Sequence, residues 1–287
     1  MPCQSAWIAS RTLQSHRQVY HRRRQGAAPI AGVHHRASAN YCARLLCALL
    51  ILCPWFATGV TAGAVPTKVS IRSAGHERSY HFVIPTSLPA TDPRPVLLLL
   101  HGSYSTPLDI LPTWIEIAER DGVILVAPKS SADYGWRIHQ DGPELMRDVI
   151  DDIAAKHPID RRRLYLFGHS AGAVHALTLG LLESRYFAAV ALHAGAWTDH
   201  SSFNVIPMAQ RKIPMWIAVG DRDEQFPLVS VRATEAALQE AGVPVIVRIM
   251  KGHRHTYSDV APHVNGEAWA FLQGIQLDGP PAFQPYR

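Results

Sequence analysis

The sequence predicts an α/β fold, and three observations carry the prediction. Short continuous apolar runs recur along the chain, longer amphipathic stretches separate them, and the polar residues with reactive side chains cluster just after several of the runs. Lys68–Ile71 and Tyr80–Ile84 alternate apolar with polar residues on either side of Gly75, which predicts an opening hairpin. Val96–Leu100 (VLLLL) has no polar position, the pattern of a strand covered on both faces of a parallel sheet. Val123–Ala127, Leu164–Phe167, Ala188–Leu192, Met215–Val219 and Val245–Met250 repeat it. Helical stretches lie between them at Trp114–Arg120, Glu144–Lys156, Ala171–Glu183, Leu228–Gln239 and Ala261–Leu272. Crossovers of this length imply parallel strands wound right-handedly with helices on both faces. In Glu144–Lys156, Leu145, Val149, Ile153 and Ala154 form one stripe and Arg147, Asp148, Asp151 and Asp152 lie off it, so the helix faces a core. Asp160-Arg161-Arg162-Arg163 reads as solvated surface ahead of a buried strand.

Composition bounds the rest. The chain has 287 residues, 28 Lys+Arg against 23 Asp+Glu, and four cysteines. Seven of the arginines and all four cysteines precede residue 65, while the first acidic residue is Glu77. Residues 65–287 therefore hold 21 basic and 23 acidic side chains and no cysteine. Such a segment can bury roughly 70% of its unfolded surface. Its apolar content excludes a disordered or collagen-like chain, and its charge balance offers nothing to nucleic acid. The acid-free flank, the apolar run Leu45–Ala57 and the small residues Ala62-Gly63-Ala64 read as a signal peptide. The run is short for a membrane span, which needs about 20 residues. The expected organisation is a cleaved leader over 1–64 and one catalytic domain over 65–287, periplasmic or extracellular and free of the membrane once cleaved. No internal repeat or linker divides that domain.

Gly168-His169-Ser170-Ala171-Gly172 follows one buried run and opens a helical stretch. A sharp strand-to-helix turn lifts a serine hydroxyl above a sheet, and the helix N-terminus points unpaired N–H groups at it. A serine needs a base, and the base needs an orienting acid. Gly220-Asp221-Arg222-Asp223-Glu224 follows the run ending at Val219, and Gly252-His253-Arg254-His255 follows Met250. Both therefore stand at carboxyl ends of strands, where open α/β sheets build their sites. Two histidines share one loop, so the spacing leaves His253 and His255 both open as the base. For an oxyanion, the backbone N–H of Ala171 supplies one donor. His101-Gly102-Ser103-Tyr104, after the VLLLL run, supplies the other, with Ser103 preferred and Tyr104 second.

These segments, LLLLHG (97–102), IDRRRLYLFGHSAG (159–172), WIAVGDRDEQFP (216–227) and MKGHRHTY (250–257), resemble the α/β-hydrolases of the feruloyl esterase, polyhydroxybutyrate depolymerase and dienelactone-hydrolase-like esterase group. The resemblance spans most of residues 96–272. It implies an α/β-hydrolase fold and a serine esterase working through an acyl-enzyme on small or polymeric carboxylic esters, without a cofactor. It places the acid three residues after a Gly and four before a Pro, which selects Asp223 over Asp221. It favours His255 over His253 as the base, because Lys251-Gly252-x-x-His matches the group's turn before its histidine. A dienelactone hydrolase proper would carry Cys where Ser170 stands. The stretch from Ala194 to Ile213 is too short for a large lid, so an open cleft lined by Tyr104, Trp136 and Trp197 is expected. Asp199, His200 and Asn204 lack metal-ligand spacing, as do His253 and His255, and no metal is expected. Two other classes share the arrangement: a serine peptidase of the prolyl oligopeptidase type, which usually carries an additional propeller, and a non-catalytic binding module, which would be expected to lose one of the three residues. The sequence leaves the natural ester and the oligomeric state open.

Overall fold

A computed structural model describes residues 64–87, 89 and 91–284. The leader, except Ala64, lies outside the described residues. Eight strands form one sheet: β1 (Thr67–Ser73), β2 (His76–Val83), β3 (Arg94–Leu100), β4 (Ile124–Pro128), β5 (Ile159–His169), β6 (Ala189–His193), β7 (Met215–Gly220) and β8 (Val245–Met250). Their order is β1-β2-β4-β3-β5-β6-β7-β8. The β1–β2 hairpin joins β4 antiparallel, and the remaining strands pair in parallel.

The uninterrupted apolar strands have the burial that their composition requires. Along β3, Val96, Leu98 and Leu100 enter one core, and Leu97 and Leu99 enter the other, because successive side chains point to opposite faces. The first core is closed by α4 (Pro143–Ala154) and α5 (Ala171–Leu182), together with Leu238 of α6 (Leu228–Glu240). The second is closed by α2 (Ile115–Asp121) and α7 (Ala261–Leu272). Helices therefore cover both faces of the sheet, as the pattern of the sequence requires. Among the described residues, no helix is long and apolar enough to cross a membrane.

The differences from the expectation are local. On α4 the buried face is Leu145, Met146, Val149, Ile150 and Ile153, while Ala154 is half-buried at the last turn. Strand β5 begins five residues earlier than its apolar run, because Ile159 pairs with Arg94 of β3. The arginines in that extension are partnered: Arg161 with Asp151 at 2.8 Å, Arg163 with Asp160 at 2.6 Å, and Arg162 Nε with the Leu277 carbonyl at 2.7 Å. Two one-turn helices, α1 (Pro107–Ile110) and α3 (Ile138–Asp141), and two 3-10 segments, Leu111–Trp114 and His200–Met208, escape the sequence pattern. The one-turn helices and the shorter 3-10 segment span too few residues to show a period, and end groups set the two one-turn helices. Asp109 Oδ2 accepts from the Thr106 amide at 2.7 Å and from its hydroxyl at 2.8 Å.

Candidate active site

Ser170 sits between the last residue of β5 and the first of α5, at φ 55° and ψ −122°. A non-glycine residue at such angles carries about 1–3 kcal/mol of strain, held in place by its surroundings. The Ser170 amide donates to the His193 carbonyl at 3.1 Å, and its own carbonyl accepts from Ala173 at 2.9 Å. A Cβ on Gly172 would lie 2.0 Å from the Leu100 carbonyl oxygen, and one on Gly168 would lie 2.2 Å from that of Gly172. Only glycine permits the chain to fold back so tightly beneath the hydroxyl.

Strands β7 and β8 bring the other two groups. Their register pairs Gly220 with Met250, so the loops that follow leave the sheet side by side. A Cβ on Gly220 would lie 2.1 Å from the His253 carbonyl oxygen, which shows how closely they pack. Asp221 Oδ1 accepts from the Gly252 amide at 2.6 Å, and the Arg222 amide donates to the His253 carbonyl at 2.9 Å. Asp221 therefore ties the loops together, and Asp223 turns inward, 5% exposed. Asp223 Oδ1 accepts from the Gln225 and Phe226 amides, both at 2.9 Å. Asp223 Oδ2 stands 2.9 Å from His255 Nδ1, and His255 Nε2 stands 2.9 Å from Ser170 Oγ. A carboxylate only accepts, so His255 Nδ1 carries the proton and Nε2 is free to accept from the serine hydroxyl. His253 points elsewhere: its ring packs 5.6 Å from His193, and among the described residues its buried Nε2 has no hydrogen-bond partner.

Tyr257 anchors the His255 loop from below. Its hydroxyl receives the Trp114 Nε1–H at 3.0 Å and donates to Asn265 Oδ1 at 2.6 Å. Burial raises the Tyr257 pKa, so the phenol stays protonated. His169 stacks on Tyr257 with centroids 5.1 Å apart, lies 5.2 Å from the His255 ring, and shares a 3.0 Å Nδ1···Nδ1 hydrogen bond with His193. Burial, followed by the nearness of His255, lowers the His169 pKa to about 4. Burial, followed by His169, lowers that of His193 to about 2. Near neutral pH, the rings beneath His255 are thus uncharged.

The loop after β3 crosses in front of α5. A Cβ on Gly102 would lie 3.3 Å from Ser170 Cβ. His101 shapes this loop: its Nε2 accepts from the Ser130 amide at 3.3 Å, which leaves Nδ1–H to donate to the Gly102 carbonyl at 2.9 Å. Ser103 Oγ donates to the Tyr134 carbonyl at 2.7 Å, and the Tyr104 amide donates to Asp133. The Tyr104 N–H is thus engaged by the neighbouring loop. Ala171 opens α5, where an amide has no partner within the helix.

A cleft of about 460 Å³ opens beside Ser170. Ser103, Ala171, Trp136 and Trp197 line it; Tyr104, 84% exposed, does not. Trp136 donates Nε1–H to the His101 carbonyl at 2.8 Å and stacks on His175 with centroids 5.2 Å apart. Trp197 is buried and meets Phe203 of the 3-10 segment edge-on at 5.2 Å. That segment is what covers the region between β6 and β7, and Asp199 caps it by accepting from the Ser202 amide at 3.1 Å. The sequence reading missed Val174, His175 and Thr178, which also line the cleft. Their signal was available: they follow Ala171 at spacings of three, four and seven, one face of a helix. It also missed Tyr134, Gln225 and Phe226, which loop conformation alone brings in.

With this geometry in view, the relatives are informative. The sequence matches the phospholipase/carboxylesterase family over residues 110–261. It is 26% identical over 159 residues to the bifunctional acetylxylan esterase/xylanase XynS20E of Neocallimastix patriciarum, a match covering 53% of this chain and 22% of that protein. The chain thus spans about a fifth of that relative's length. Among solved structures, a thermostable esterase superposes with a TM-score of 0.59 at 18% identity, over 75% of this chain and 63% of that one. A ferulic acid esterase superposes at 0.56 and 20% identity, over 73% of this chain and 98% of that one. At these identities the likeness is one of fold, the α/β-hydrolase fold. The family match extends from α1 to the start of α7 and contains Ser170, Asp223 and His255, and the chain belongs to the phospholipase/carboxylesterase family of α/β-hydrolases.

Proposed function

We propose that the protein is an exported serine esterase that cleaves carboxylic esters through an acyl-enzyme. The observation that carries this reading is the position of His255, hydrogen-bonded at 2.9 Å to Ser170 Oγ through one nitrogen and at 2.9 Å to Asp223 through the other. Ser170 attacks the ester carbonyl while His255 Nε2 takes the hydroxyl proton. Asp223 holds the tautomer and stabilises the imidazolium. The Ala171 and Ser103 amides receive the oxyanion, each donor being worth about 100- to 1000-fold in rate. The imidazolium then protonates the departing alkoxide, and water, activated by the same base, releases the acid.

The open cleft with Trp136 and Trp197 suits a bulky or aromatic acyl group of the feruloyl or polyester type. Export rests on the leader: cleavage after Ala64 frees Val65–Arg287, and the intact mass of the secreted form reads this directly. A fluorophosphonate that labels Ser170, with loss of aryl-acetate hydrolysis in Ser170→Ala, is the expected result. Labelling elsewhere, or full activity in that variant, refutes the mechanism. A peptide amide run beside feruloylated sugars and polyhydroxybutyrate distinguishes the esterase from a peptidase on the same fold.

A further inference from the structure

A second depression, of about 220 Å³, is lined by Arg222, Glu224, Gln225, Arg254, His255 and Thr256, and shares Gln225 with the cleft beside Ser170. Arg254 pairs with Glu224 at 3.4 Å, both side chains being exposed. Among the described residues, the Arg222 guanidinium makes no ion pair. With two arginines against one glutamate, the depression carries one cation in excess.

Reaction chemistry determines which part of an ester lies there. The proton that leaves Ser170 must return from His255 Nε2 to the departing alkoxide, so the alcohol oxygen sits at His255 and its substituents extend along the His255 side. The acyl portion then occupies the large cleft, whose lining holds no Lys or Arg and one carboxylate, Asp199. The Ser201 and Ser202 hydroxyls donate to that carboxylate and keep it ionised, with a pKa of about 2. The cleft and the depression are therefore of opposite sign.

We propose that Arg222 is a specificity-determining residue, favouring esters whose alcohol portion bears a carboxylate and whose acyl portion is uncharged. The assignment rests on the serine-esterase reading above. A guanidinium presents a planar fork of N–H donors that matches a carboxylate, and that of Arg222 is engaged in no ion pair among the described residues. Its backbone amide holds the His253 carbonyl at 2.9 Å, so a change of side chain leaves that tie between the loops in place.

The test compares 3-carboxyphenyl acetate with phenyl acetate, and the quantity read is the ratio of their kcat/KM values within each variant, which cancels changes common to both esters. Arg222→Ala is expected to lower the ratio about three- to fivefold and Arg222→Glu further, the size expected for an exposed charge pair. Added salt should pull the wild-type ratio towards that of Arg222→Ala, because exposed charges are screened. Arg232→Ala, a change on α6 in the lining of neither cavity, should leave the ratio at its wild-type value. A ratio indifferent to Arg222, or one that falls equally in Arg232→Ala, overturns the assignment while Ser170-dependent hydrolysis of phenyl acetate still supports the esterase. Absence of that hydrolysis overturns the esterase reading and the assignment with it.

Discussion

Asp141 and Asp223 are both buried aspartates that accept several hydrogen bonds, and they do different work. Asp141 receives the Ser131 amide and hydroxyl, at 2.9 and 2.8 Å, and the Arg137 amide at 2.8 Å, and it pairs with Arg78 of β2. Its carbonyl meets His175 Nε2 at 2.8 Å. The whole segment 131–141, with Gly135 and Trp136 on the cleft wall, is fastened to this one residue. Asp223 likewise holds two backbone amides, but its ionic partner is His255 and not an arginine. An arginine is always charged, so the Arg78–Asp141 pair is fixed structure. A histidine gains its charge when it takes a proton, so in the proposed mechanism the attraction between Asp223 and His255 grows as Ser170 gives up its proton. On that proposal, what separates the scaffold carboxylate from the catalytic one is whether its partner can titrate.

The largest expected effect removes the proposed nucleophile. Ser170→Ala should lower kcat on aryl acetates by about 10⁵- to 10⁶-fold with the thermal transition preserved, as steady-state kinetics and calorimetry will read. Asp223→Asn should cost about 10⁴-fold, because the amide no longer holds the productive tautomer, and it too should leave a folded protein. His253→Gln should stay within about tenfold of wild type, since its ring makes no hydrogen bond to Ser170 or Asp223; a loss matching that of His255→Gln would reverse the assignment of the base. Asp141→Ala should behave in the opposite way to Asp223→Asn. Removing Asp141 leaves the half-buried Arg78 without its carboxylate and the Ser131 and Arg137 amides without their acceptor, which should cost about 3 kcal/mol of stability. That is about 10 °C in Tm, with residual activity at low temperature far above that of Asp223→Asn. If the two aspartate variants proved alike in both measurements, the contrast between them would collapse.

The smallest effect concerns a buried carboxylate that makes no ion pair among the described residues. Glu183, 1% exposed at the end of α5, accepts from the Gln284 amide at 2.9 Å, and burial raises its pKa to about 7. Below about pH 4.5 the group is protonated in both folded and unfolded chains and costs nothing. Between about 4.5 and 7 the unfolded chain ionises while the folded one keeps its proton, so stability falls as pH rises and then levels off. Glu183→Gln removes the penalty. Its melting temperature should match wild type near pH 4.5 and exceed it above pH 7, where the stability gained is on the order of 2–3 kcal/mol. A difference in Tm that does not depend on pH would show that Glu183 does not titrate in this range.

The legibility of the molecule follows its repeat lengths. The inner parallel strands were readable because a strand buried on both faces has no polar position, whereas β8, expected to be of the same kind, lies at the sheet edge, carries Arg248 and has no fully buried residue. The long helices were readable because several turns show a period. The one-turn helices α1 and α3 were not, since four residues carry no period and their end groups decide them. The Gly-x-Ser-x-Gly segment marked its turn because the close approach of the Leu100 and Gly172 carbonyls excludes side chains there. The Trp136 wall was visible as an aromatic but not as a wall, because its fastening runs from β2 through Arg78 to Asp141, residues far apart in the chain.

The choice between His253 and His255 shows where the sequence by itself stops. Composition and periodicity determine which segments are strands and helices and which loops stand at the carboxyl ends of the sheet, because burial imposes local patterns that a reader can count. Two histidines separated by one residue in one loop satisfy every such pattern equally. Only the tertiary structure decides that His255 faces Ser170 and Asp223 while His253 packs against His193. That decision depends on the register of β7 against β8, the contact of Gly220 with the His253 carbonyl, and the Asp221 tie to Gly252. All of these join separate parts of the chain, and non-local contacts leave no local pattern to read.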